Sequence, residues 1–141
     1  MITIMDVKKA LNKKLKEATG VNVGSKKIDE NFRGPIFFTE IQIIKSSAIN
    51  KFLHENSLRL RILYYPEKKF DKIDIFKTLN ELEKSFRLNF KVLDRVLNVQ
   101  DISFDIDEEK GFLYFTFKTQ YITKYERNEE YDLMEDLKLN L

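Results

Sequence analysis

Asp101, Ser103, Asp105 and Asp107 recur at every second position of one segment, so an extended chain would carry them on one face. Such a face could gather a hard cation, calcium or magnesium, because these ions take several oxygen ligands. The segment lacks an Asp-rich loop with a turn glycine at the fixed offset, and Lys118 is placed to neutralise part of the face. A solvated acidic face that protects a strand edge is the simpler reading. Arg59 and Arg61 share another strand face with Tyr65 beyond them, a pattern that could hold phosphate beside a stacking ring. Pairing across a strand with Glu40 and nearby acids accounts for the two arginines more simply. His54, the only histidine, lies in the polar stretch Phe52-Leu53-His54-Glu55-Asn56 and reads as a solvated imidazole rather than an acid, base or ligand. There is no Gly-x-x-x-x-Gly-Lys, no Gly-x-Ser-x-Gly, no His pair at metal-binding spacing and no cysteine. No catalytic residue, cofactor or metal site is therefore assigned.

The elements that must carry these groups follow from periodicity. Ile4, Val7, Leu11, Leu15 and Ala18 stand at helical spacing over residues 4 to 18, with Thr19-Gly20 as the stop. A short extended piece at 21 to 28 follows. Gly34-Pro35 then introduces a strand from Ile36 to Lys45 in which Phe37, Thr39, Ile41 and Ile43 share a face. Ser46 to Asn56 reads as a polar connection, after which Leu58, Leu60, Ile62 and Tyr64 alternate with Arg59 and Arg61 until Pro66 ends the strand. From Asp71 to Leu88 the stripe Ile75, Phe76, Leu79, Leu82 and Phe86 predicts a second helix, capped by Asp71 or Asp74, that covers the sheet.

Residues 96 to 122 predict a long β-hairpin. Val96, Ile102, Phe104 and Ile106 lead through Asp107-Glu108-Glu109-Lys110-Gly111 into Leu113, Phe115 and Phe117, which continue the apolar face on the return strand. A short helix over Tyr131 to Leu139 closes the chain. The fold class is α+β: a mostly antiparallel sheet of four to five strands, two main helices packed on it and a short C-terminal helix, in a single domain spanning 1–141.

With 141 residues the chain can bury roughly two thirds of its unfolded surface, and 43% hydrophobic residues supply the core. The net charge of +2 is too small to predict nucleic-acid binding. Its distribution is more informative. Lys8, Lys9, Lys13, Lys14 and Lys16 stud the first helix, Asp105, Asp107, Glu108 and Glu109 crowd the hairpin tip, and Glu126, Glu129, Glu130, Asp132, Glu135 and Asp136 load the C-terminal segment. No apolar run reaches the ~20 residues of a spanning helix, and the N-terminus lacks a basic stretch followed by an apolar one, so neither membrane insertion nor export is expected.

Several segments in order resemble a family of small phage tail terminator (tail-completion) proteins of tailed phages and phage-like elements of Gram-positive bacteria. They are Ile4-Met5-Asp6-Val7-Lys8-Lys9-Ala10-Leu11-Asn12-Lys13, Arg33-Gly34-Pro35-Ile36-Phe37-Phe38, Leu60-Arg61-Ile62-Leu63-Tyr64-Tyr65-Pro66, and Gly111-Phe112-Leu113-Tyr114-Phe115-Thr116-Phe117 followed by Tyr121 and Met134-Glu135. The resemblance implies a non-enzymatic structural protein of the virion tail, assembled in the host cytoplasm. It implies a hexameric ring on the head-proximal end of the tail tube, which stops tube growth and offers a head-joining surface. Its partners would be further copies of itself, the tail tube protein and a head-completion protein, with DNA passing through without specific binding. A ring needs unlike patches that meet. Lys8, Lys9, Lys13 and Lys16 against Glu130, Glu135 and Asp136 make one candidate pair. Asp105, Asp107, Glu108 and Glu109 make a candidate lumen or edge face, and a hairpin strand could add to a neighbour's sheet. Another head-tail connector or tail-completion component, or a small nucleic-acid-binding module, is the alternative.

Overall fold

The computed structural model describes residues 2–24, 35–68 and 70–124. Its elements are α1 (Ile4–Thr19), β1 (Ile36–Ala48), β2 (Leu53–Tyr65), α2 (Lys72–Ser85), β3 (Asn89–Val92), β4 (Arg95–Asn98), β5 (Gln100–Asp107) and β6 (Phe112–Lys124). Strands β1, β2, β6 and β5 form, in that order, an antiparallel sheet, while β3 and β4 make a separate two-stranded ribbon. This is the expected α+β arrangement. The expected helix over Tyr131 to Leu139 and the end of the extended piece, 25 to 28, lie outside the described residues. Val23 of that piece makes a parallel bridge to Phe37.

Helix α1 begins where its sequence supplies a cap. The Thr3 hydroxyl accepts from the Asp6 N–H while the Asp6 carboxylate accepts from the Thr3 N–H at 2.9 Å, a reciprocal capping box. Val7, Leu11 and Leu15 fall on the buried stripe, and Gly20 ends the helix at φ 74°, its N–H bonded to the Lys16 carbonyl at 2.8 Å. Helix α2 is capped by Asp71, whose carboxylate accepts from the Asp74 N–H. Asp74 instead accepts a hydrogen bond from the Tyr64 hydroxyl. The α2 stripe differs from expectation at one place. Ile75, Leu79, Leu82 and Phe86 are buried, but Phe76 is 50% exposed. One residue beyond Ile75 turns it about 100° off the buried line, and Thr78 fills the inward position instead.

The central pair β2 and β6 sets the register of the sheet. Tyr64, Ile62, Leu60 and Leu58 lie opposite Leu113, Phe115, Phe117 and Thr119, so one face presents an unbroken buried surface to the helices. Phe86 seals it, with ring centroids 5.2 Å from Phe117 and 6.1 Å from Phe90. A second, smaller cluster of Phe38, Leu63 and Phe112, flanked by Tyr65 and Tyr114, sits on the opposite face of the sheet.

Two expectations about the strands are corrected. Ser46 to Asn56 is not a polar connection: β1 runs to Ala48, β2 starts at Leu53, and only residues 49 to 52 turn. The Asn50 carboxamide oxygen closes that turn by accepting from the N–H groups of Phe52 and Leu53 at 2.8 and 2.9 Å. Polar residues there occupy a strand pair because backbone pairing does not require apolar side chains.

The long hairpin also begins later than expected. Val96 belongs to β4, pairs with Lys91 and is 60% exposed; the hairpin is β5 with β6. The ribbon instead buries Phe90, Val92 and Leu97 under the helices. Within the hairpin the facing is as expected, with Phe104 opposite Phe115 and Ile106 opposite Leu113. Phe104 is nonetheless 52% exposed while Phe115 is fully buried, because β5 is the edge strand and the cover above β6 stops short of it.

Candidate assembly surfaces

The acidic residues of β5 separate into structural and available groups. A register shift between Gln100 and Ser103 takes Asp101, at φ 51°, out of strict alternation, and its carboxylate lies 3.8 Å from Lys118. Asp105 lies opposite Tyr114 and is exposed. The Asp107 carboxylate accepts from the Glu109 and Lys110 N–H groups, both at 3.0 Å, and its carbonyl accepts from Gly111 at 2.7 Å, so Asp107 holds the hairpin tip. Glu108 and Glu109 are exposed at that tip. The four oxygen-bearing side chains therefore do not converge, and no cluster of three or more metal-ligating residues occurs among the described residues.

The α1 lysines divide likewise. Lys16 reaches back to the Gly20 carbonyl at 3.4 Å and to the Asn22 side chain, serving the helix terminus. Lys14 bonds the Asn89 carbonyl at 3.4 Å and lies over the Phe86 ring, 5.0 Å from its centroid; partial burial pulls its pKa down. Lys13 is 3.9 Å from Glu17 in an exposed pair of little energetic weight. Lys8 is half-buried and Lys9 exposed, and neither bonds another described side chain. Glu130, Glu135 and Asp136 lie outside the described residues.

Arg59 donates to the Gln42 side chain at 3.1 Å. Arg61 lies 3.7 Å from Glu40 and stacks over Tyr114, 4.8 Å from the ring centroid. Arg61 thus pairs across the strands with Glu40 as expected, whereas Arg59 meets the neutral Gln42 in place of an acid. His54, expected in a loop, is a β2 residue whose Nε2 lies 2.6 Å from the Ser46 hydroxyl.

Exposed apolar residues along the sheet edges were not singled out as a surface by residue pattern. Ile43 and Ile44 stand on β1, Ile102 and Phe104 on β5, and Phe70, Ile73 and Phe76 at the start of α2. A cleft of about 240 Å³ lined by Phe70, Ile75, Ile106 and Gly111 separates α2 from the hairpin tip. Alternation identifies the face on which such residues sit; only the position of each strand in the sheet shows which faces go uncovered.

A long antiparallel sheet with its helices on one face, and charged and apolar side chains set along its two edges, defines an α+β domain whose chemistry lies in its surfaces. The chain belongs to the phage tail terminator family: the family model described as phage tail terminator protein matches residues 6–132. It is a structural protein of the phage tail, and this membership points away from an enzyme. No curated protein matches the chain. No helix among the described residues is long and apolar enough to cross a membrane.

Proposed function

We propose that copies of this chain close into a hexameric ring on the head-proximal end of the tail tube. The ring satisfies the last layer of tube subunits without presenting another such layer, so tube growth stops there. Its outer surface then receives a head-completion protein. DNA passes through the lumen without specific recognition, a reading supported by Arg59 and Arg61 being engaged by cross-strand partners rather than presented together as a phosphate clamp. The observation that carries the proposal is the family match across residues 6–132.

Asp105 and Glu108 sit on an edge strand and its turn, which favours a subunit-edge role for the acidic group over a lumen lining. Deleting the gene tests the whole reading. Overlong or polydisperse tubes are expected. Correct tubes that fail to join heads would point to a connector instead, and uniform tubes with heads attached would end the proposal.

A further inference from the structure

Resting on the ring reading, we propose how one copy joins the next: the outer edge of β5 adds, antiparallel, to the outer edge of distal β1 in the neighbouring copy. Residues 100–105 of β5 and 42–46 of β1 are exposed at every position, on both faces of the sheet. Ordinarily a strand covered on neither face is a liability, because its unpaired N–H and C=O groups template further pairing. Among the described residues, backbone bonding on the outer side of β1 is confined to Phe37, whose N–H and C=O meet Asn22 and Gly24. That contact lies at the opposite end of β1 from Gln42.

Strand direction makes the two edges compatible. Every neighbouring pair in the order β1-β2-β6-β5 is antiparallel, so the outermost strands β1 and β5 run oppositely. A neighbour placed edge to edge by a modest rotation therefore presents its β1 antiparallel to β5, and the alternation continues across the joint. The contact is heterologous, as a closed ring requires.

The side chains are complementary as well. Asn12 of α1 accepts from the Thr39 hydroxyl at 2.7 Å, so the helix side bearing Asn12 faces β1. Lys8 and Met5 stand one and two turns before Asn12 on that same side. On the helix side of the sheet the β1 edge offers Ile43, 55% exposed. Against it, the β5 edge offers Phe104, 52% exposed on that same face, while Asp105 and Gln42 share the opposite face of the sheet.

The joint is staggered. Gln100 shares its row with Lys118, Arg59 and Gln42, so β5 lies level with the half of β1 that precedes Gln42. Matching β5 to residues 42–46 slides each copy along the strand direction, which inclines the strands to the ring axis as in a closed barrel.

The chain has no cysteine, so paired cysteines report the joint directly. In tails assembled with the double variant Ile44→Cys/Ser103→Cys, a short bismaleimide should yield a ladder from dimer to complete ring. Either single variant should stay monomeric. Absence of a ladder in tails of normal length would overturn this joint while leaving the ring standing; uniform tubes in the gene deletion would overturn the ring itself. Should that double variant fail to assemble, Gln42→Cys/Asp105→Cys, a second pair of the same antiparallel register, decides. It should give the same ladder with the same bismaleimide. Absence of that ladder in tails that form would refute the pairing.

Discussion

The Arg95 guanidinium donates to the Ile122 carbonyl at 2.6 Å, closing the edge of β6 beyond the point where β5 ends. In the other direction, the Thr119 hydroxyl of β6 donates to the Asn98 carbonyl of β4 at 2.8 Å and ties the ribbon to the sheet. The Arg95 side chain here takes the place of a strand, leaving β5 as the edge open to a partner. Arg95→Ala should cost about 1 kcal/mol, discounted for exposure, and urea unfolding would measure it. Sedimentation should also show more non-specific association, because the Ile122 carbonyl becomes a free edge acceptor.

Gly20 and Gly111 both adopt φ 74°, yet a Cβ meets nothing within 4 Å at Gly20 and would lie 2.9 Å from the Phe70 backbone nitrogen at Gly111. Gly20→Ala should cost only the left-handed strain of about 1–2 kcal/mol. Gly111→Ala should cost at least about 1 kcal/mol more, as backbone must move. Equal losses in denaturant midpoint at unchanged m-value would show that the close approach carries no weight.

Phe86 and Phe76 lie on the same helix with opposite fates. Phe86→Ala empties a fully buried site between Phe90, Phe115 and Phe117 and should destabilise by about 3–5 kcal/mol. Phe76→Ala, half in solvent, should stay within about 0.5 kcal/mol in the same thermal or urea assay. A large loss at Phe76 would mean that it packs against something in solution.

Burial, with the neighbouring Asp74 carboxylate as hydrogen-bond acceptor, pushes the Tyr64 hydroxyl from 10.0 up to about 12. Burial also raises Tyr65 to about 12 and lifts Tyr121. A raised folded pKa favours the neutral form. Stability is therefore fully present below the unfolded value of 10.0 and lost as pH climbs from there through about 12. Urea midpoints measured at about pH 9 and about pH 11.5 should show this fall, and Tyr64→Phe should make it shallower. An unchanged slope would assign the alkaline loss to other groups.

Much of the fold was legible because its strongest signals are local. The Val7, Leu11, Leu15 stripe and the alternation from Leu58 to Tyr64 each require one secondary structure to bury their apolar side chains together. Gly20 and Asp71 likewise announced helix ends through their own backbone and side-chain chemistry. The β3–β4 ribbon escapes the sequence pattern because four-residue strands are too short for a period to emerge, and Val96 then reads as part of the longer hairpin. Long polar strand ends at Ser46 and Asn56 were missed because pairing there rests on backbone groups, which every residue possesses.

By itself the amino-acid order determined the α+β class, the two helices, the helix-facing residues of the central strands and the kinship with tail terminators. It placed Phe104 and Phe115 on one face. Only the tertiary structure decided that Phe115 is sealed and Phe104 half open, that Asp107 holds a turn while Asp105 is exposed, and that β1 and β5 are the two edges of the sheet. The reason is physical: side-chain direction follows from backbone period, whereas burial and availability depend on which distant segment arrives above each face, a property of no local stretch of chain.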